Sequence, residues 1–149
     1  MTDQILILVR GLPGSGKTSF AHLLDAAIFS ADDYFTAEDG TYTFKPQELA
    51  QAHAQCIKGA QESVLAGQPI TAVANTFSTR WELEPYLQLS DSPLRLKTFI
   101  VDLFDGGLTD EQLFKRNSHG VPLDAIRRMR SRWEHPWGAG NPVPPWDRG

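Results

Sequence analysis

The only sulfur in this 149-residue chain is one cysteine and two methionines. A single cysteine, Cys56, rules out a disulfide framework within the chain and fits a reducing cytoplasm, the expected location. Long apolar runs are also missing. None approaches the roughly 20 residues a spanning helix needs. The apolar stretch Ile5-Leu6-Ile7-Leu8-Val9 is too short for a signal-peptide core and runs straight into a glycine turn, so neither a membrane partner nor a targeting segment is expected. Excess positive charge is absent as well. Lys and Arg number 14 against 18 Asp and Glu, a net charge of −4, so the molecule as a whole is not a polycationic nucleic-acid binder. There is no internal repeat and no linker.

The composition is otherwise that of one globular domain. It is 41% hydrophobic and 21% charged, and long enough to bury a core without disulfides or metal. Four of the ten prolines and three of the twelve glycines fall in His135–Gly149, which marks an irregular tail behind a domain of residues 1–134. Basic residues are also uneven. Lys115, Arg116, Arg127, Arg128, Arg130 and Arg132 put six of the fourteen into eighteen positions. This cluster is either a solvated helix face or a surface for phosphates.

Along the chain, apolar runs alternate with helical patterns. Ile5–Val9 reads as a strand buried on both faces, and a helix follows from Lys17 to about Ala27 with Phe20, Leu23 and Leu24 on one side. Ile28-Phe29-Ser30 is a second strand, ending at Asp32-Asp33. Residues 36–45 form a loop or lid. Pro46 opens a long helix to Ala66, with Leu49, His53, Cys56, Ile57, Ala60 and Val64 near one face, and Gly67 stops it. Ile70–Ala74 is a third strand, Thr79–Leu89 a helix that Pro85 bends or shortens, and Leu94–Phe104 holds a fourth strand centred on Thr98–Leu103. Thr109 caps a helix through Asn117, and Pro122 opens the last helix, to about Glu134. This order predicts an α/β fold: a parallel sheet of four or so strands with helices on both faces.

The chemistry starts at Gly11-Leu12-Pro13-Gly14-Ser15-Gly16-Lys17-Thr18, a full match to G-x-x-x-x-G-K-[S/T] between a strand and a helix. Its glycines let successive N–H groups converge on phosphate oxygens, and the helix start adds partial positive charge. The residues Gly11, Pro13, Gly14, Ser15, Gly16, Lys17, Thr18 and Ser19 are the predicted ATP site. Lys17 reaches the β- and γ-phosphates, and Thr18 offers its hydroxyl to Mg²⁺.

In open α/β sheets ligands sit beyond the carboxyl ends of the strands. Asp32-Asp33 and Asn75-Thr76 occupy two such ends. An acceptor hydroxyl needs a carboxylate to orient it and take its proton. Either aspartate suits, with the other holding a water on Mg²⁺ or capping the next segment. The alternative is that both only shape the turn.

The segments R-G-L-P-G-S-G-K-T, F-S-A-D-D-Y-F, A-N-T-F and K-R-N-S-H-G-V-P-L-D-A-I-R-R-M resemble phage-type polynucleotide 5′-kinases and their small AAA-like and zeta-toxin-like P-loop kinase relatives, over most of residues 5–133. The resemblance implies the P-loop NTPase fold and transfer of the γ-phosphate of ATP to the 5′-hydroxyl of a nucleic acid. It makes Asp32 the general base and Arg116 a lid arginine on the ATP phosphates, with Lys17 as the third catalytic residue. Asp33, Asn75, Thr76 and Arg80 are expected on the acceptor side.

There are departures from the family pattern. Tyr34, Phe35 and Thr36 stand where such kinases often carry an arginine, Ala74-Asn75-Thr76-Phe77 lacks the usual leading carboxylate, and the connection at Ser118-His119-Gly120-Val121 is short. These leave the acceptor open between nucleic acid, a small molecule and a modified nucleotide. A regulatory protein that binds ATP without transferring phosphate is the reading from another class. A surface salt bridge is the plainer role for Arg116. His53 and Cys56 are expected to pack in the core, with a substrate-facing His53 as the alternative. His119, beside Gly120, reads as a turn residue with a lid contact as the alternative, and Trp81 and Trp133 read as core rather than as rings that stack bases. Trp137 and Trp146 are expected to pin the tail.

Overall fold

The computed structural model describes residues 3–91 and 96–135. Four strands form one parallel sheet in the order β2-β3-β1-β4: β1 Gln4–Gly11, β2 Ala27–Phe29, β3 Ile70–Asn75 and β4 Leu96–Phe104. Five α-helices connect and follow them: α1 Lys17–His22, α2 Leu49–Leu65, α3 Arg80–Leu87, α4 Asp110–Arg116 and α5 Leu123–Arg132. β1 lies in the middle, pairing Ile7 with Ala72 of β3 and with Phe99 of β4.

Alternation along β1 divides the core between the two sheet faces. Leu6 and Leu8 point to a cluster with Cys56, Ala60 and Val64 of α2 and Leu83 and Tyr86 of α3. Val9, with Ile7 packed beside it, faces Ala21 and Phe20 of α1. Helices therefore cover both faces, as expected. A third cluster at the carboxyl end of the sheet joins Leu12 of the phosphate loop to Leu113 of α4, Ile126 of α5 and Trp133.

Several expected boundaries move, each for a local reason. The helix after the phosphate loop ends at His22 rather than near Ala27, tightened by bonds from Leu23 N to the Phe20 carbonyl and from Leu24 N to the Ala21 carbonyl. Leu23, expected on the packed side, is 84% exposed. Ser30 is not a strand residue. It caps the 3₁₀ turn Ala31–Phe35. Pro46–Glu48 is a 3₁₀ turn ahead of α2, and α3 ends at Leu87 with a 3₁₀ turn Gln88–Asp91 behind it. Pro85 stays inside α3. It leaves the Trp81 carbonyl without its helical partner on a residue that faces solvent. β4, Leu96–Phe104, by contrast falls within the stretch expected to hold it. The last helix stops at Arg132 because Glu134 N donates instead to the Ser78 carbonyl.

Trp133 is buried, as expected, but Trp81 is 80% exposed and not part of the core. Of the expected inward face of α2, Cys56, Ala60 and Val64 are buried, His53 is half-buried and Leu49 is 41% exposed. Trp137, Trp146 and the tail beyond His135 lie outside the described residues. No described helix is long and apolar enough to cross a membrane.

Candidate active site

The phosphate loop is held from three sides. Gly11 N donates to the carbonyl of Thr76, the residue after β3, and Leu12 N donates to the Phe104 carbonyl at the end of β4. A methyl on Gly14, whose φ is +82°, would strike the Leu113 carbonyl of α4, and one on Gly106 would come within 2.9 Å of the Ser15 carbonyl. The glycines thus let α4 and the loop after β4 close directly onto the cradle. The Phe77 and Phe104 backbones have φ of 49° and 47°, in the left-handed region. Phe104 ends β4 and Phe77 follows the end of β3, both beside the cradle, and their carbonyls accept from Arg10 Nε and Leu12 N. Strain of this kind gathers where surrounding contacts overdetermine a site.

The loop itself fits a polyphosphate. Ser15 Oγ is buried with no hydrogen-bond partner among the described residues. Lys17 Nζ donates to the Leu12 carbonyl at 3.1 Å, curled back over its own loop. Burial pushes the Lys17 ammonium down to about 8, and the Asp32 carboxylate pulls it back up. An orphaned hydroxyl and a desolvated ammonium in one cradle are both satisfied by a phosphate chain. Thr18 and Ser19 are exposed at the start of α1. No group of three or more His, Cys, Asp or Glu side chains that could hold a metal ion occurs among the described residues.

The two aspartates are used differently. Asp33 Oδ2 accepts from Ser30 N at 3.0 Å, closing a capping box on the 3₁₀ turn. Burial, assisted by Asp32, raises the Asp33 carboxyl above its ordinary range, while the Ser30 bond works against this. Asp32 is the residue whose charge reaches Lys17. Tyr42 Oη donates to Asp32 Oδ1 at 3.0 Å, and His119 Nδ1 lies 3.2 Å from Asp32 Oδ2. Asn75, buried, accepts from Ala31 N at 2.9 Å and from Ser30 Oγ at 3.3 Å, and donates to Cys56 Sγ at 3.6 Å. Its amide thereby fixes the start of the aspartate turn to the end of β3. Thr76 is half-buried and contributes its carbonyl to Gly11. Arg80 is exposed and paired with Glu84 at 2.9 Å.

Arg116 ends α4, one turn beyond Leu113, which packs on Leu12. It is exposed and has no ion-pair partner among the described residues, so the surface salt bridge considered as its plainer role is not seen. The basic cluster is thinner than its sequence. Arg127 pairs with Glu111 and Asp124, and Arg130 with Asp105 and Asp110.

Two contributors, Arg10 and Tyr42, carry no signal in the sequence, and a third, His119, does more than its favoured role of turn residue. Arg10, 1% exposed, donates to the carbonyls of Phe77 and Ser78 and to Asp102, and lies 4.0 Å from the Trp133 ring centre. It stands directly before the phosphate loop, but an arginine in an apolar strand gives no sign of its partners. Tyr42 sits in a polar loop with no pattern to mark it. His119 is expected as a turn residue, with a lid contact as the alternative. It does lie in the bend between α4 and α5, yet its ring also stacks on Tyr42 at 4.2 Å and reaches Asp32.

Residues 6–136 match a family described as an AAA domain. The chain belongs to that family. Human NEDD4-binding protein 2 (Homo sapiens) is 33% identical to this AAA domain over 135 residues, covering 87% of this chain but 8% of that protein. The chain thus spans a small part of that relative's length. Among solved structures, one in the Pnkp1/Rnl/Hen1 RNA repair complex superposes with a TM-score of 0.63 at 17% identity, over 89% of this chain and 44% of that one. A gluconokinase from Sinorhizobium meliloti 1021 gives 0.51 at 16% identity, over 93% and 79%. These likenesses are of fold: this AAA domain has the nucleotide-binding fold of P-loop kinases.

Proposed function

We propose that this AAA domain is an ATP-dependent phosphotransferase that moves the γ-phosphate to an acceptor hydroxyl, the 5′-hydroxyl of a nucleic acid foremost. The observation that carries this is the division of labour between the aspartates. Asp33 is spent on a cap, while Asp32 faces the P-loop lysine with its carboxylate held but uncapped. A protein that only binds or senses nucleotide has no use for a carboxylate there.

In this reading the loop amides, Ser15 and Lys17 hold the phosphates, with Gly11, Pro13, Gly14, Gly16 and Ser19 shaping the cradle. Magnesium, when bound through Thr18, neutralises charge on the phosphate oxygens. Asp32 orients the acceptor hydroxyl and takes its proton as the acceptor oxygen bonds to the γ-phosphorus. The bond from that phosphorus to the β,γ-bridging oxygen breaks, ADP leaves with the electron pair, and the proton passes from Asp32 to solvent. Arg116 stabilises the transferring charge from the lid side. Asp33, Asn75 and Thr76 frame the acceptor side, with Arg80 at its rim.

The fold likeness to a member of an RNA repair complex supports a polynucleotide acceptor, and the likeness to a gluconokinase keeps a sugar hydroxyl in the test. Incubation with γ-labelled ATP, Mg²⁺ and 5′-hydroxyl DNA and RNA oligonucleotides, nucleosides and sugars should label an oligonucleotide 5′ end. Label only on a nucleoside or sugar would overturn the acceptor. No labelled product at all would overturn the phosphotransferase.

A further inference from the structure

The proposed base is gripped from two elements that are far apart in sequence. Tyr42, in the loop between the aspartate turn and α2, donates to Asp32 Oδ1 at 3.0 Å. His119, in the connection between α4 and α5, has Nδ1 3.2 Å from Asp32 Oδ2. The two gripping rings stack on each other, with centroids 4.2 Å apart and planes 26° apart. Tyr42 is anchored in turn. Thr36 bridges to it, and its ring lies edge-on to the buried Phe35 at 6.2 Å.

On the other side, Asn117 braces the connection that carries His119. Its Oδ1 accepts from Val121 N at 2.8 Å, and its Nδ2 donates to the carbonyls of Phe114 and Val121. That connection begins one residue after Arg116. The same rigid corner therefore carries the proposed lid arginine and a contact to the proposed base.

We infer that His119 and Tyr42 form a clamp that positions Asp32 for proton abstraction and registers the α4–α5 lid against the acceptor side. The inference rests on the phosphotransferase reading above. Each carboxylate oxygen has two lone pairs, so the Tyr42 hydrogen bond on Oδ1 and the His119 ring beside Oδ2 still leave lone pairs to the acceptor hydroxyl. Neither ring touches the reacting atoms. Both are positioning residues, and their effect comes through the orientation of Asp32. A misplacement of about 1 Å is enough to cost on the order of 10²-fold in rate.

The test uses the full chain. His119→Ala should lower kcat about 10- to 100-fold while KM for ATP stays within about twofold. His119→Asn, whose side-chain amide can sit near the Nδ1 position, should recover most of the loss, and Tyr42→Phe, which keeps the stack, should lose less than Tyr42→Leu. In an Asp32→Asn background, His119→Ala should cost nothing more, because its partner is already gone. Independently of activity, the His119 ¹⁵Nδ1 resonance should shift on Asp32→Asn and on Tyr42→Leu. Wild-type kcat in His119→Ala, a full multiplicative loss in the Asp32→Asn background, failure of His119→Asn to recover, or an unmoved Nδ1 resonance would each overturn the clamp. Wild-type protein inactive on every acceptor would overturn the phosphotransferase reading and the clamp with it. Active wild type with an indifferent His119 removes the clamp alone.

Discussion

Lys17 is the residue whose chemistry is most exposed to solution conditions. Burial holds its ammonium near 8, and phosphate oxygens favour the charged form. Below that pH the ammonium is already charged and nucleotide binding needs no proton. Above it, binding must take a proton up, so ATP affinity should fall by up to about tenfold per pH unit. Titration calorimetry with MgATP between pH 7 and 9.5 checks this, and Lys17→Met should bind weakly with a flatter profile. The sign is opposite for the nucleotide-free fold. Its Lys17 binds fewer protons than the unfolded chain above about 8, so the burial penalty is relieved as pH rises towards the ordinary lysine value. The positions of Lys17 and the aspartate pair were legible in the sequence because a short motif and a strand end fix them. Which aspartate faces the lysine was not. That depends on the Ser30–Asp33 capping box, and D-D reads the same either way.

At the scale of elements, the site depends on how closely α4 rests on the phosphate loop. Gly14 combines a left-handed φ with the Leu113 carbonyl where a side chain would go. Gly14→Ala should push the lid off the cradle and weaken nucleotide binding at least about tenfold, since strain and overpacking each cost on the order of 1–3 kcal/mol. Equilibrium binding of a fluorescent ATP analogue reads this directly.

A second element-level support is Arg10, which ties the end of β1 to the carbonyls after β3, to Asp102 of β4 and to Trp133. Burial lowers its guanidinium pKa and Asp102 offsets this, leaving a buried cation wholly dependent on its partners. Arg10→Leu removes the donor from two buried carbonyls and from Asp102 Oδ2 and should destabilise the fold by about 2–4 kcal/mol in urea unfolding. The sheet and its order of elements followed from apolar runs alternating with helical spacing. Element ends did not, because they are set by tertiary bonds such as Glu134 N to Ser78, which no local pattern carries. Trp81 was misplaced for a similar reason: side-chain size does not say which way a short helix turns its first residues.

At the scale of the whole molecule, the acidic net charge and the basic stretch 115–132 look contradictory until the ion pairs are drawn. Exposed Arg127 and half-buried Arg130 are each paired with two carboxylates, leaving Lys115, Arg116, Arg128 and Arg132 on the surface of α4 and α5 without an ion pair among the described residues. A single-stranded acceptor should therefore bind with a modest salt dependence, a slope of log K against log salt no steeper than about −3. A filter-binding series over salt concentration measures it. Among these cations the lid position is distinctive. Arg116→Ala should lower kcat by about 10³-fold, and Arg128→Ala should leave it within about twofold.

The proposed transfer depends on Asp32 acting as base in front of a P-loop. Single-turnover transfer from γ-labelled ATP, measured beside ATP affinity in wild type and Asp32→Asn, tests it most directly. Asp32→Asn should lose at least about 10³-fold in transfer rate and keep ATP affinity within a few-fold. Transfer at the wild-type rate in Asp32→Asn would contradict it.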